Sequence, residues 1–201
     1  MRRIVVVNNV TLDGVMQAPG GKEEDLRDGF AYGGWAGPYN DEVKARIMGE
    51  GMAEEHALLF GRKTYEHFFE VFPGRRDNPF SEVLDNTQKY VASRTLREPL
   101  PWKNSTLLQG DACDALAKLK AEPGPGLTIL GSGELVKSLM RRDLVDELLL
   151  NIHPLVLGTG RRMFADDGTF ARFELARSVP TTTGVIIASY RRTDAASVKV
   201  A

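Results

Sequence analysis

The chain reads as an α/β protein: one mostly parallel sheet, closed by antiparallel strands at the C-terminus. Three observations carry this. Short apolar, β-branched runs alternate with segments of helical periodicity through the first two thirds of the sequence. Glycine- and hydroxyl-bearing turns separate strand from helix, and a helical crossover between strands makes them parallel. The last third is strand-rich and ends in two β-like runs around residues 181–184, the pattern of an antiparallel hairpin. No shift in composition marks a linker, so residues 1–193 form one domain and residues 194–201 a tail expected to fray.

Residues 4–7 (IVVV) are a buried strand. Residues 11–37 carry seven glycines without a sustained period and read as a long loop, which in a compact domain is usually functional or disordered. Asn40 is placed to cap a helix over 41–54 with Val43, Ile47 and Met48 on one face. Residues 57–61 are a second strand and 62–70 a helix. Residues 73–79 (PGRRDNP) read as an exposed turn. Strands follow at 89–93 and 106–109. Asp111 caps a helix carrying Leu116 and Leu119, and EPGPG at 122–126 ends it. Residues 127–130 are the fifth strand, Gly131-Ser132-Gly133 opens a helix with Leu135, Val136, Leu139 and Met140, and residues 147–152 are the sixth strand.

Composition narrows the function classes. The 201 residues are 42% hydrophobic and 26% charged, an ordinary globular balance. Lys and Arg total 26 against 27 Asp and Glu, so no basic excess points to nucleic acid or an anionic membrane. The N-terminal apolar run stops at Asn8, too short for a signal-peptide core or a membrane span. A single cysteine, Cys113, fits a reducing cytoplasm and makes neither a disulfide nor a thiolate metal site. There is no GxxxxGK[ST], HExxH or GxSxG, and His56, His67 and His153 lie in unrelated contexts, so a metal is not expected. The expected partner is a small molecule in the cytoplasm.

Ligands of open α/β sheets bind beyond the carboxyl ends of the strands, and three strand ends here carry suitable chemistry. Gly61-Arg62-Lys63-Thr64 offers close backbone approach, helix-start amides, a hydroxyl and two cations, as a phosphate cradle does; a solvated basic helix start explains it equally well. Ser93-Arg94-Thr95 adds a hydroxyl and a cation at the next strand. Gly131-Ser132-Gly133-Glu134-Leu135 resembles the opening of GxGxxG, but Val136 stands at the last position and the motif comes after four strands, so it marks a helix start aimed at a pyrophosphate rather than a Rossmann domain. The first strand turns polar at Asn8-Asn9, and Asp13-Gly14 opens the long loop, where Asp is equally a turn former.

In their order, these motifs resemble the dihydrofolate reductase superfamily, and within it the branch of the RibD C-terminal domain, the reductase domain of a bacterial riboflavin-biosynthesis protein. The residues carrying the resemblance are Leu12-Asp13-Gly14, Gly61-Arg62-Lys63-Thr64-Tyr65, Ser93-Arg94-Thr95, Gly131-Ser132-Gly133, the stretch Pro154-Leu155-Val156-Leu157-Gly158-Thr159-Gly160, and Phe164 before the hairpin. It spans residues 3–192. It implies a three-layer sandwich around an eight-stranded, mostly parallel sheet, with NADPH as hydride donor. Gly61, Arg62, Lys63 and Thr64 would contact the pyrophosphate and adenosine-side phosphates. Ser93 and Arg94 would sit at the adenosine ribose, Arg94 facing the 2′-phosphate. Gly131, Ser132, Gly133, Glu134 and Leu135 would hold the pyrophosphate and neighbouring ribose, and Asn9 and Met16 would lie by the nicotinamide.

The chain also departs from the family. The carboxylate that binds a pteridine ring on the first helix falls near Ala45, with Asp41 and Glu42 one turn away. Folate is therefore not the expected substrate; a 5-amino-6-ribosylaminouracil-type or pterin-like heterocycle is, with Arg161 and Arg162 available for a substrate phosphate. Asp13 or a bound water would supply the proton. The alternative is a non-catalytic nucleotide-binding module of the same fold; an NAD-using Rossmann-type enzyme is disfavoured by Arg94. The loop 14–37, with Phe30, Tyr32 and Trp35, is either a lid whose Trp35 meets substrate or a fixed loop whose aromatics patch the core. The residues Val185-Ile186-Ile187 leave an apolar edge, and a homodimer is expected.

Overall fold

The computed structural model describes residues 1–75, 78–164 and 166–193. Eight strands form one sheet: β1 (Ile4–Thr11), β2 (His56–Gly61), β3 (Lys89–Ala92), β4 (Ser105–Leu108), β5 (Gly126–Leu130), β6 (Glu147–His153), β7 (Phe173–Pro180) and β8 (Ile186–Arg192). Their spatial order is β4-β3-β2-β5-β1-β6-β8-β7. The first six run parallel. β8 is antiparallel to both β6 and β7, so the expected sheet is the one observed.

Alternation in β1 divides the sheet into two faces. Ile4, Val6 and Val10 pack with Leu59, Leu127 and Ile129 beneath α4 (Ala112–Ala121) and α5 (Gly133–Arg141). On the other face, Leu58, Phe60 and Val91 pack under α2 (Arg62–Val71) and α3 (Pro79–Asn86). There α1 (Glu42–Ala53) lies over β8, with Ile47 against Val185 and Ile187. This is the three-layer sandwich. α5 is amphipathic and buries Leu135, Val136, Leu139 and Met140. α4 starts at Asp111, whose carboxylate accepts from the amides of Cys113 at 2.9 Å and Asp114 at 3.1 Å.

Four local expectations are corrected. β1 runs on through Asn8 and Asn9 to Thr11, because β6 pairs with it along its whole polar end. The cap of α1 is Asp41, not Asn40: the Asp41 carboxylate accepts from the Lys44 amide at 2.8 Å. α3 was not foreseen. Its start is an Asn-Pro pair, with Asn78 accepting from the Phe80 amide at 2.9 Å, and it is only eight residues long. The hairpin edge is not bare, since Val185 and Ile187 are buried under α1 and only Ile186 is exposed. Within the expected turn at 73–79, residues 76 and 77 lie outside the described residues, as does the tail 194–201. Among the described residues no helix is long and apolar enough to cross a membrane, and no group of three or more His, Cys, Asp or Glu residues could hold a metal ion.

Candidate active site

At the carboxyl edge of the sheet the starts of two helices meet. α2 follows β2 directly through Gly61, and α5 follows β5 through Gly131 and Ser132. Neither helix start has a side-chain cap. The Ser132 hydroxyl, which would ordinarily cap its own helix, instead accepts from the Gly61 amide at 2.9 Å and ties the two starts together. Gly131 and Ser132 both have left-handed backbone, at φ 71° and 57°; Ser132 is thereby a strained position, and its bond to Gly61 holds it there. Two uncapped helix N-termini side by side present amide donors and the positive ends of two dipoles to one point, a combination suited to a diphosphate.

This junction opens into a cleft of about 1500 Å3 on the sheet face between α1 and α2. Lys63, Thr64, Gly131, Ser132, Gly133 and Glu134 line it at the helix starts; Asn9 and Met16 line it at the end of β1. The Met16 sulfur would be 2.8 Å from a Cβ placed on Gly133, so the glycine lets this side chain lie against the helix start. The slot beyond is largely apolar, walled by Ile47, Met48 and Met52 from α1 and Phe68 and Phe72 from α2, with Val7 and Leu130 as its floor.

Several expected site residues are placed differently. Leu135 buries its side chain in the core, 8% exposed, leaving only its amide at the junction. Arg62 lies along α2, pairing with Glu66 at 3.4 Å, and does not line the cleft. Gly61 pairs in register with Ala92, so Arg62 and Ser93 leave the sheet from adjacent points. Ser93 and Arg94 lie outside the cleft lining. The Ser93 hydroxyl accepts from the Thr95 and Leu96 amides at 3.1 and 3.0 Å, and Arg94 is exposed.

Asp13 does not face the cleft. It accepts from the Thr11 hydroxyl at 2.6 Å and from the Leu157 and Gly158 amides at 3.3 and 2.9 Å, joining the loop after β1 to the loop after β6. The Thr11 hydroxyl and those amides hold its carboxyl below the usual carboxylate range. An ionised acceptor so engaged is no proton donor. Trp35 is also not at the cleft. With Phe30, Val15, Ala18 and Ala36 it forms a small core of the loop itself, and its indole N–H donates to the Gln17 carbonyl at 2.7 Å. The start of this loop is fastened by backbone bonds from the Met16 amide to the Arg161 carbonyl and from the Met163 amide to the Gly14 carbonyl. Arg161 and Arg162 do line the cleft, yet both are also loop ties: Arg161 pairs with Asp28 at 2.9 Å, and Arg162 donates to the Asp13 carbonyl at 2.9 Å.

Two features escaped the sequence reading. His153 is fully buried behind Asn9, its Nε2 3.0 Å from Asn9 Oδ1, with the edges of Trp35 and Tyr39 against it. Burial, and secondarily the Lys44 cation, pushes its pKa down to about 4. It is therefore neutral, donates through Nε2 and fixes which end of the Asn9 amide is free. Lys44, on the first turn of α1, lines the cleft and is 9% exposed. The signal for it was present: Lys44 stands in register with Ile47, Met48 and Gly51, a cation inside an apolar stripe.

Fold and site together define an α/β protein with two uncapped helix starts meeting at the mouth of a largely apolar cleft. The sequence model of the RibD C-terminal domain matches residues 2–187, and the chain belongs to that family. It is 27% identical over 196 residues to the uncharacterized protein YyaP of Bacillus subtilis (strain 168), covering 92% of each chain. Among solved structures, a proposed riboflavin biosynthesis protein from Shewanella sp. PV-4 superposes with a TM-score of 0.65 at 19% identity, covering 95% of this chain and 99% of that one. Dihydrofolate reductase from Enterococcus faecalis, complexed with NADP(H) and RAB-propyl, superposes with a TM-score of 0.59 at 18% identity, over 96% and 97% of the two chains. The fold is thus the dihydrofolate reductase-like one.

Proposed function

We propose that the protein is a reductase that uses NADPH to reduce a small flat heterocycle or a related carbonyl compound. The observation that carries this is the joined pair of uncapped helix starts, at Gly61 and Ser132, opening onto a largely apolar cleft of about 1500 Å3. The residues present fit the cofactor. Amides at the starts of α2 and α5, the Thr64 hydroxyl, Lys63 and the free Asn9 Nδ2 are all donors, as phosphate and amide oxygens require. When bound, the nicotinamide supplies the hydride. The protein's own work is to align two rings, using Met16 and Asn9 at one end of the slot and the apolar faces of α1 and α2 at the other, and to keep water from the reacting carbons. Arg94, exposed beside the cradle, reads the 2′-phosphate, and Arg161 and Arg162 meet an anionic tail on the substrate.

A binding module without turnover is the second reading, and the displacement of Asp13 from the cleft favours it. Calorimetric titration with NADPH, followed by cofactor oxidation against pterins, pyrimidinediones and quinones, separates the two. Turnover on any of these establishes the reductase; binding with no turnover leaves the module; no binding removes both.

A further inference from the structure

The α1 wall of the cleft carries a buried lysine, Lys44, and no carboxylate that is free to bind a base. Asp41 is spent as the helix cap and on the amide and hydroxyl of Thr182, both at 2.7 Å. Glu42 is exposed and does not line the cleft. The other charged residue that α1 brings to the cleft among its described residues, Glu50, is exposed and pairs with Arg46 at 2.8 Å. Lys44 is buried, and its Nζ donates only to Asn40 Oδ1, at 3.2 Å; among the described residues no carboxylate lies within 4.0 Å of it. Two of its three N–H groups have no protein acceptor.

The neighbouring lining adds one free donor and one free acceptor, which suits a ring oxygen flanked by a ring N–H. Asn9 commits its oxygen to His153 and keeps its Nδ2 donor free. Asn151, 2% exposed, has an unpartnered Oδ1, and its Nδ2 reaches only the Met48 sulfur, at 3.8 Å. A buried ammonium with one neutral acceptor carries a large desolvation cost, which an electron-rich ligand oxygen would offset. A protonated ring nitrogen at the same place would meet a like charge and an extra donor.

We propose that Lys44 is the specificity-determining residue of this cleft, and that it selects a substrate presenting a carboxylate, enolate or ring-carbonyl oxygen to α1 and rejects a protonated aminopyrimidine ring. Asn9 Nδ2 supplies a second donor to the same oxygen-rich edge. The proposal deepens the reductase reading by naming the substrate edge, but its test needs no cofactor.

Barbiturate, an anionic pyrimidinetrione, and 2,4-diaminopyrimidine are each titrated calorimetrically against the full chain at mildly acidic pH, where the diamine is protonated. The expected result is barbiturate binding at least about tenfold tighter than the diamine, equivalent to about 1.4 kcal/mol. Lys44→Met should remove that preference, and Lys44→Glu should reverse it. Lys44→Gln, which keeps a donor without the charge, should retain part of it and serves where the methionine variant does not fold. Equal affinities in the native protein, preference for the diamine, no binding of either probe, or an unchanged barbiturate affinity in Lys44→Met or Lys44→Gln overturns the proposal. A parallel NADPH titration separates the two ideas: loss of cofactor binding with retained anion preference defeats the reductase reading alone.

Discussion

Single side chains set both the chemistry and the pH range of this protein. Arg94 is exposed at the end of β3, and no carboxylate among the described residues lies within 4.0 Å of its guanidinium, which leaves it open to a phosphate. A charge-assisted contact contributes about 1.5–3 kcal/mol, so Arg94→Ala should weaken NADPH binding by about tenfold or more while leaving NADH nearly unchanged. Equal losses for the two cofactors in paired titrations would remove Arg94 from the 2′-phosphate. His153 gives a pH prediction. Its folded pKa of about 4 lies below its ordinary 6.5, so the unfolded chain takes up a proton that the native state refuses. Stability therefore falls as pH drops through that window and levels off below it, by about 3 kcal/mol in all. The groups facing His153 are Asn9, Trp35, Tyr39 and the Lys44 cation, none of which offers a compensating negative charge. Urea unfolding at several pH values should show this slope, and His153→Gln should flatten it. Trp35 belongs to the core of its loop, so Trp35→Ala should cost about 3–5 kcal/mol; a nearly intact melting temperature with reduced turnover would restore Trp35 as a lid residue.

Secondary-structure elements are held by contacts that only partly show in the chain's order. α3 ends over Lys89, which is fully buried and donates from Nζ to the carbonyls of Leu84 at 2.6 Å, Asp85 at 3.2 Å and Thr87 at 2.7 Å. The same ammonium sits 4.6 Å from the centre of the Trp102 ring. One lysine thus satisfies the open carbonyl end of a short helix. Lys89→Met would keep the volume and strand those carbonyls, and chemical denaturation should register a loss on the order of 2–3 kcal/mol with β3 otherwise intact. This explains why α3 was illegible. Eight residues give barely two turns of periodicity, and the residue that finishes the helix lies on the next strand. By contrast, α4 and α5 could be read directly: Asp111 precedes one, and the other carries Leu135, Val136, Leu139 and Met140 at helical spacing.

Across the whole molecule, the sheet order places β7 at an open edge. Val185 and Ile187 are consumed internally, but Ile186 is 47% and Leu175 56% exposed on the outer hairpin. We propose that this edge pairs two copies of the chain. Light scattering should give twice the 22.2 kDa chain mass at micromolar concentration, and Leu175→Lys should halve it, because a charge at an edge blocks strand-to-strand association; a native mass of one chain would dismiss the homodimer.

The sheet's composition and direction were legible because parallel strands buried on both faces must be apolar and β-branched, and because each crossover helix declares itself by its period. The strand-to-helix turns at Gly61 and Gly131 were legible for a related reason: a turn with close backbone approach needs glycine or a small hydroxyl residue locally. What the chain order could not state is how those ends face one another. The Gly61 amide meets the Ser132 hydroxyl across 71 positions, and Asp13 reaches Gly158 across 145. The sequence by itself determined the strands, most of the helices and the chemistry of the strand ends, since these depend on neighbours within a few residues. Only the tertiary structure decided that Asp13 and Trp35 serve the loop, that Lys44 faces the cleft and that His153 stays neutral behind Asn9, because burial and charge at a side chain are set by whichever distant elements pack over it.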